Sequence, residues 1–184
     1  MAAITSSGSE TEGTSIPIEE YIARFVEAGE KPTCEYVDGE LSPKPMGTKK
    51  HSKTQQNIQY YIRQKYGESF EPLPELTARL DQGKFYVPDV AVEDRAHPIQ
   101  GRYPGPEDTV FLCVEIMSPP DRVGRLFAKC EEYHKWGVPH CWVLDPERKV
   151  AWEYAAEDAE PRRVADALTA GLIRLTLDEV FDRV

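Results

Sequence analysis

The sequence predicts an α/β (α+β) fold, in which a mixed β-sheet core is flanked by helices. Segments 49–66 and 121–136 carry apolar residues at helical spacing. Short apolar runs at 85–92, 110–116 and 142–144 have the length and composition of buried strands. The sequence contains neither internal repeats nor a glycine-rich phosphate loop. Helices interspersed with strands in this way favour the mixed class.

The first third of the chain alternates helical and hairpin patterns. A helix is predicted over 18–28, with acidic residues in its first turn and a glycine after it. A strand at 34–37 precedes an Asp38-Gly39 turn, which is typical of a hairpin. The longest helix of this half follows at 49–66.

A second hairpin is predicted in the middle of the chain. Its strands are 75–80 and 85–92, and the turn between them contains Gly83. Pro88 has no amide hydrogen to donate to a sheet, so it marks an edge, a bulge or the start of a strand. Residues 93–108, with several prolines and glycines, form a predicted loop.

The second half of the chain is predicted to supply the centre of the sheet. The apolar run at 110–116 is a strand, which the prolines at 119 and 120 stop. The helix at 121–136 ends at Gly137. The remaining elements are strands at 142–144 and 150–154, an irregular polar segment at 157–163, a short apolar segment at 172–175 and a short last helix.

Length and composition indicate a single domain. The chain has 184 residues, enough to bury a core without disulfides or metals. We expect residues 1–15, which are small, polar and acidic, to be a disordered tail, and residues 16–184 to form one domain. No apolar stretch is long enough to cross a bilayer, and the N-terminus does not resemble a signal peptide. These features predict a cytoplasmic protein with no membrane partner.

The four cysteines show no paired spacing and no secretory context, so no disulfide is expected. Cys130 with His134, and His140 with Cys141, have spacings that imitate a zinc site. Cys113 and Cys141 lie in apolar strand patterns, where free cysteine behaves as a small hydrophobic residue. Zinc is therefore the minor interpretation.

The net charge of −10 argues against broad, sequence-independent coating of nucleic acid. Neutralising phosphates requires clustered Lys and Arg. A local basic face is still compatible with this charge, and solvated surface charge is its alternative. Two basic clusters are present, one of Lys44, Lys49, Lys50, His51 and Lys53, and one of Arg122, Arg125 and Lys129.

Asp89 and Glu115 both lie inside apolar runs. Acidic side chains almost never enter such surroundings unless another group pairs with them. Adjacent strand ends would present both carboxylates at one edge of the sheet, and a hard divalent cation is typically held by one or two carboxylates and water. Lys129 lies beside the apolar stripe of its helix, so its ammonium is directed toward the sheet, where it can orient or deprotonate a water.

Each of these residues has a structural alternative. Asp89 can satisfy a backbone amide at a strand bend. Glu115 can form a buried ion pair with Lys129, although such pairs often give no net stability. Lys129 can also extend its ammonium to solvent. From the residues alone, both interpretations stay open.

The order of these residues resembles the PD-(D/E)XK, or restriction-endonuclease-like, superfamily, and within it the bacterial putative restriction endonuclease family. The matching segments are spread over most of the chain, and their order and spacing together are specific. They are Glu35-Tyr36-Val37-Asp38-Gly39-Glu40-Leu41, His51, Pro88-Asp89-Val90, Val114-Glu115-Ile116-Met117-Ser118-Pro119, 129–133, Gly137-Val138-Pro139 and Trp142-Val143-Leu144-Asp145-Pro146.

The resemblance implies a restriction-endonuclease-like core in which Asp89 and Glu115 bind Mg²⁺ or Mn²⁺. The superfamily's usual lysine position holds Met117 here, and methionine cannot do that work. In the family that the chain resembles, the lysine comes from the following helix, where Lys129 lies. Glu35 matches an acidic position near the same site. The implied catalytic residues are therefore Asp89, Glu115, Lys129 and Glu35.

Three further residues are candidate substrate contacts. His51 and Gln55 share one helix face, and Lys53 belongs to the basic turn beside them. A surface role is the alternative for each. Where the family is acidic, one turn before Lys129, this chain has Arg125, and a nearby positive charge would favour the neutral, base-competent lysine.

The resemblance implies a metal-dependent nuclease, most directly a DNA endonuclease that hydrolyses phosphodiester bonds with a metal-activated water. A catalytically silent nucleic-acid-binding or assembly module on the same fold is the alternative, and a hydrolase of a small phosphate ester is a third. Superfamily members that cut both strands usually pair two protomers, so a homodimer is expected. The choice between DNA and RNA stays open.

Overall fold

Residues 15–184, which the computed structural model describes, form four α-helices and twelve β-strands. The first half of the chain contains α1 (Ile18–Tyr21) with a π-helical continuation (Ile22–Glu27), β1 (Cys34–Val37), β2 (Glu40–Pro43), α2 (Lys49–Tyr66), β3 (Phe70–Pro74), β4 (Ala78–Arg79), β5 (Lys84–Tyr86) and β6 (Val90–Asp94). The second half contains β7 (Leu112–Ile116), α3 (Val123–Trp136), β8 (His140–Asp145), β9 (Val150–Ala155), β10 (Arg162–Val164), β11 (Ala167–Ala170), β12 (Ile173–Thr176) and α4 (Leu177–Val180).

A six-stranded mixed sheet forms the centre of the fold. Its strand order is β10-β9-β8-β7-β6-β3, and every neighbouring pair is antiparallel except β7 and β8. Parallel neighbours need a crossover connection, which α3 provides. This arrangement confirms the predicted mixed sheet flanked by helices.

Both faces of the six-stranded sheet are covered, because successive strand residues point to opposite sides. Val90 and Val92 belong to the same apolar layer as Ile58 and Ile62 of α2. Ala91, between the two valines, belongs to the layer formed with α3. The two long helices therefore pack on opposite faces of the sheet.

A second, antiparallel sheet of four strands has the order β2-β1-β5-β4. The first predicted hairpin, β1 and β2, forms one edge of this sheet. Asp38 and Gly39 at the turn have φ angles of 50° and 101°, the positive values that a tight turn between twisted strands requires. β11 and β12 form a separate hairpin, and its buried Leu168 and Ile173 join the apolar layer of α2.

The two long helices begin and end close to the predicted positions. α2 has the predicted bounds, and the side chain of Thr48 caps it by accepting a hydrogen bond from the amide of His51. α3 begins at Val123, two residues later than predicted. It ends at Trp136, and the following Gly137 has a φ of 108°, a left-handed conformation that glycine adopts without strain.

The prediction of one continuous strand at 85–92 is wrong. The chain leaves the four-stranded sheet after Tyr86 and enters the six-stranded sheet at Val90. Pro88 lies in the short connection between them, where its lack of an amide hydrogen costs no sheet hydrogen bond. This break places Asp89 at the junction of the two sheets.

The sequence prediction also missed strands at the margins of the sheets. β3 and β10 are the two edges of the six-stranded sheet, and β11 lies in the separate hairpin. β3 contains Pro72 and Pro74, and an edge strand tolerates proline because half of its amides need no partner. Short, polar or proline-containing segments of this kind carry little of the apolar pattern that identifies central strands.

The predicted disordered tail, residues 1–15, lies outside the described residues except for Ser15. That residue forms an isolated bridge with Glu40 of β2. The assignment of residues 16–184 to one domain stays a prediction. No helix within 15–184 is long and apolar enough to cross a membrane. The four cysteines are free and buried.

Candidate active site

The register of β6 and β7 brings the two predicted acids together. Val90 pairs with Val114 in an antiparallel ladder, so the next positions outward are Asp89 and Glu115. Residues directly opposite each other in such a ladder have side chains on the same face. Both acids are 3% exposed. Two buried carboxylates therefore lie at one strand end, on the face that α3 covers.

Asp89 accepts hydrogen bonds on both of its carboxylate oxygens. Lys44 Nζ lies 2.8 Å from Oδ1, and the amide of Ile116 donates to Oδ2 at 2.7 Å. His51 Nε2 lies 3.3 Å from Oδ2. Burial by itself would raise the pKa of Asp89, but Lys44 and His51 outweigh it and hold the pKa well below its ordinary value. Asp89 is therefore an ionised carboxylate.

Glu115 is held by α3. The hydroxyl of Tyr133 donates to Oε1 at 2.6 Å, and Lys129 Nζ lies 2.7 Å from the same oxygen. Both contacts involve Oε1 of Glu115, and Oε2 accepts no hydrogen bond from the described residues. Burial raises the pKa of Glu115, with a further contribution from the charge of Asp89, while Lys129 opposes the increase.

Lys129 bridges two acids. Its ammonium donates to Oε1 of Glu35 at 2.7 Å and lies at the same distance from Oε1 of Glu115. Burial would lower the pKa of Lys129, but the two carboxylates outweigh it and raise the pKa above its ordinary value. The expectation of a neutral lysine is therefore wrong for this arrangement, in which Lys129 contacts both acids. Arg125 lines the same cavity, but it donates its hydrogen bond to Ser42 Oγ, at 2.9 Å, and the two acids in contact with Lys129 dominate.

Glu35 links Lys129 to the chain segment that runs between the two sheets. It lies on β1 and is 4% exposed. Its Oε1 accepts hydrogen bonds from Lys129 and from the amide of Val87, at 3.1 Å for the latter. Glu35 therefore fixes both the lysine and the segment that leads to Asp89.

The predicted substrate contacts are placed unequally. His51 lines the cavity that also exposes Glu35, Asp89, Glu115 and Lys129. Gln55 is one turn further along α2 and donates from Nε2 to the carbonyl oxygen of Asp89 at 2.8 Å.

Lys53 is not brought to this cavity. It lies on the outer side of α2, where its ammonium is 3.4 Å from Oε1 of Gln56. Lys53 is two residues from both His51 and Gln55, which face Asp89. Residues two apart on a helix point in different directions, so Lys53 faces away from the acids.

Two residues of the site were not predicted from the sequence. Lys44 follows β2 and contacts Asp89, and Tyr133 lies one turn after Lys129 and contacts Glu115. The basic cluster before His51 was a signal for Lys44 as a group, without indicating which lysine turns inward. The spacing of four residues between Lys129 and Tyr133 was a signal for the tyrosine, because such residues share a helix face.

Comparisons with known proteins identify the family. The model of the Uma2 family, which is described as "Putative restriction endonuclease", matches residues 18–181. The chain belongs to the Uma2 family. This membership confirms the resemblance that the motifs indicated and supports a nuclease-like function. No curated protein matches the sequence.

The fold of this Uma2 protein agrees with that of a solved structure. The chain is similar to the crystal structure of a "putative nuclease belonging to DUF820" from Anabaena variabilis, with a TM-score of 0.69 and 21% identity. The match covers 82% of this chain and 90% of that one. A DrdV–DNA complex solved by cryo-electron microscopy is also matched, with a TM-score of 0.36, 11% identity and coverage of 61% of this chain and 12% of that one.

The donor set of this Uma2 site fits a hard divalent cation. Asp89 and Glu115 supply oxygen ligands, and Mg²⁺ is usually held by one or two carboxylates with waters completing its shell. The cavity beside them has a volume of about 30 Å³. A single water needs about 10–15 Å³, so the cavity has room for about two ligands of that size beside the carboxylates.

A zinc site is not present in the described part of the chain. Within residues 15–184, no three His, Cys, Asp or Glu side chains form a group able to hold a metal ion. His134 is directed to the carbonyl oxygen of Val138, 2.8 Å from its Nδ1, and the thiol of Cys141 is directed to the carbonyl oxygen of Cys130. The imitation of zinc-ligand spacing is therefore accounted for by separate local contacts.

Proposed function

We propose that this protein is a metal-dependent nuclease, and specifically a DNA endonuclease that hydrolyses phosphodiester bonds. The observation that carries the proposal is the opposition of Asp89 and Glu115 at one strand end, with Lys129 beside Glu115. Two buried carboxylates across a ladder repel each other, and a structural role would be served at lower cost by apolar side chains. A site that binds a cation explains why both are present.

Asp89 and Glu115 would hold Mg²⁺ or Mn²⁺. When bound, such an ion supplies Lewis-acid activation of water and stabilisation of charge on the phosphoryl group. Asp89 suits a ligand role because it is already ionised, and Oε2 of Glu115 accepts no hydrogen bond from the described residues. Tyr133 fixes the orientation of Glu115 through its 2.6 Å hydrogen bond.

Lys129 has an electrostatic role in this proposal. Its pKa is raised by two carboxylates, so it is an ammonium that can stabilise negative charge on the phosphate and orient the attacking water. Glu35, 2.7 Å from the ammonium, helps to keep it in place. We therefore assign Glu35 a positioning role among the four catalytic candidates.

The substrate would approach over the basic turn before α2. His51 and Gln55 lie next to Asp89 and would contact the phosphate that is cleaved. Lys53, which lies outside the cavity, would contact a neighbouring phosphate. We further propose a homodimer, because cutting both strands of a duplex requires two sites, and a cytoplasmic location.

A second candidate is a silent binding or assembly module. The observation that favours it is the closed charge network: Lys44 pairs with Asp89, and Lys129 pairs with Glu35 and Glu115. In this alternative the network is structural and binds no divalent cation. The two candidates therefore differ in whether the acids bind a metal.

Cleavage of supercoiled plasmid DNA tests the proposal. The wild-type protein should nick or linearise the plasmid with Mg²⁺ or Mn²⁺ and not with EDTA. Asp89→Asn and Lys129→Ala should abolish cleavage in protein that circular dichroism shows to be folded, while Asp166→Asn, which alters an exposed ion pair with Arg174, should cleave normally. A folded wild-type protein that cuts neither plasmid, linear duplex nor single-stranded DNA with either metal would favour the silent module.

A further inference from the structure

The charge of α2 is unlike that of the rest of the chain. In a protein of net charge −10, this helix of 18 residues contains no Asp or Glu. Lys50, Arg63 and Lys65 of this helix pair with acids of other segments, whereas Lys49 and Lys53 make no ion pair with the described residues. A concentration of positive charge on one helix of an acidic protein is the electrostatic footprint of a polyanionic partner.

The outward side of α2 carries one continuous stripe. Lys49, Lys53, Gln56 and Tyr60 follow one another at steps of four, three and four residues, so they share a face of the helix. Tyr60 is 57% exposed, one of three large hydrophobic side chains that are exposed among the described residues. Its ring packs edge-to-face on Tyr61, with 5.0 Å between ring centroids. That contact restrains the ring, and more than half of the side chain stays exposed to solvent.

Gln56 and Tyr60 of this stripe border a surface that leads, through two depressions, to the candidate active site; Lys49 and Lys53 lie outside both depressions. A surface depression of about 490 Å³ is lined by Ser52, Gln55, Gln56 and Tyr60, among others. A second depression of about 500 Å³ shares Ser52 and Gln55 with the first and reaches Asp89. Along the helix axis, Tyr60 lies about 13.5 Å from His51. At the spacing of about 3.4 Å per nucleotide along one DNA strand, this is the span of about four nucleotides.

We propose that the outward face of α2 binds a single-stranded stretch of nucleic acid next to the site, with Tyr60 stacking on a base and Lys49 and Lys53 contacting phosphates. The inference rests on the proposed nuclease function and adds the form of substrate. An exposed aromatic ring stacks on a base whose own face is free, which a paired base inside a duplex does not offer. The amide of Gln56 can form hydrogen bonds with base edges, whether the strand is single or part of a duplex.

Fluorescence anisotropy with a labelled oligothymidine, in EDTA so that nothing is cleaved, tests this proposal. Tyr60→Ala should weaken binding about tenfold, since stacking on an aromatic side chain contributes about 1–3 kcal/mol per base. Lys49→Ala combined with Lys53→Ala should reduce the slope of log K against log salt by about 1.4, because each lost phosphate contact to a single strand contributes about 0.7.

Matched controls come from exposed residues elsewhere. Leu172→Ala removes another exposed hydrophobic side chain, and Lys135→Ala removes a lysine that is 70% exposed on α3. Both should bind the oligonucleotide like the wild type. A Tyr60→Ala protein that also binds like the wild type would overturn the proposal, as would a wild-type protein that does not bind.

Two further outcomes would also overturn it. Tighter binding of a duplex that depends on Lys49 and Lys53 but not on Tyr60 would assign the face to double-stranded DNA. A wild-type dimer that dissociates in Tyr60→Ala, measured by sedimentation velocity, would assign the face to a second copy of the chain. Because binding is measured without metal, Tyr60-dependent binding in a protein that never cleaves would sink the nuclease proposal and leave this one standing.

Discussion

The ammonium of Lys44 lies 2.8 Å from Oδ1 of Asp89 and also donates to the carbonyl oxygen of Val87 at 2.6 Å. A fixed positive charge therefore occupies one oxygen of the carboxylate that the proposal assigns to metal binding. Lys44 is largely buried, so water screens this contact only weakly. The lysine stabilises the ionised form of Asp89 in the absence of a metal and should compete with a cation for the same oxygen.

Lys44→Met should bind Mn²⁺ more tightly than the wild type. The substitution keeps the apolar stem and removes the competing charge, and we expect a gain of about tenfold in affinity, or about 1.4 kcal/mol. Isothermal titration calorimetry at neutral pH measures the affinity for Mn²⁺. Lys135→Met, which removes an exposed lysine of α3, is the control. Weaker binding by Lys44→Met would show that the ammonium supports the site and does not compete.

Tyr133→Phe should lower both stability and metal affinity. The hydroxyl of Tyr133 makes a 2.6 Å hydrogen bond to a buried carboxylate, and loss of a hydrogen bond to a charged group costs about 1.5–3 kcal/mol. Urea denaturation gives the change in the free energy of unfolding, and calorimetry should show Mn²⁺ bound several-fold more weakly. Tyr154→Phe, whose hydroxyl donates to no described side chain, is the control. Equal values for Tyr133→Phe and wild type in both measurements would refute the positioning role.

Lys129→Met should destabilise the fold strongly. It leaves Glu35 and Glu115 buried without their cation, and breaking a buried ion pair in this way costs about 3–5 kcal/mol. Adding Glu35→Gln to that variant removes one of the two unpaired charges, so the double variant should be more stable than Lys129→Met. If urea denaturation shows the double variant to be the less stable of the two, the buried charge of Glu35 is not what destabilises Lys129→Met.

The contribution of Asp89 to stability should depend on pH. Burial would raise the pKa of this carboxyl, but Lys44 and His51 lower it below its ordinary value of 3.8. Between the folded pKa and 3.8 the unfolded chain binds the proton more tightly, so the stability due to Asp89 is complete above 3.8 and is lost as the pH falls through the folded pKa.

Urea denaturation of the wild type and Asp89→Asn, from about pH 6 down to about pH 2, measures this dependence. The advantage of the wild type over Asp89→Asn should shrink as the pH falls. The corresponding difference for Asp166→Asn, an exposed aspartate, should change much less. An advantage for Asp89 that grows on acidification would contradict the lowered pKa.

Much of the central architecture was predictable from the pattern of apolar residues. The segments at 49–66 and 110–116 are long or uniformly apolar, and burial then leaves few alternatives for their conformation. Asp89 and Glu115 were conspicuous for the same reason, because a charge in such a run must have a partner. Their pairing across β6 and β7 followed once both strands were placed.

The remainder depends on contacts between segments that are distant in sequence. The change of sheet between Tyr86 and Val90 results from packing against two different partners, and Pro88 marked it only as one of several possibilities. Lys44 is one of several lysines in its region, and its choice of Asp89, 45 residues away, is set by the tertiary fold. Local patterns carry no information on either.

The central claim is that Asp89 and Glu115 hold one divalent cation within reach of Lys129. Crystals of the wild-type protein soaked in millimolar MnCl₂ and measured at a wavelength with manganese anomalous scattering test it directly. We predict an anomalous peak within coordination distance of a carboxylate oxygen of each acid, absent from Asp89→Asn crystals treated in the same way. Soaked wild-type crystals with no peak between the two carboxylates, and Lys44 still bonded to Asp89, would contradict the account.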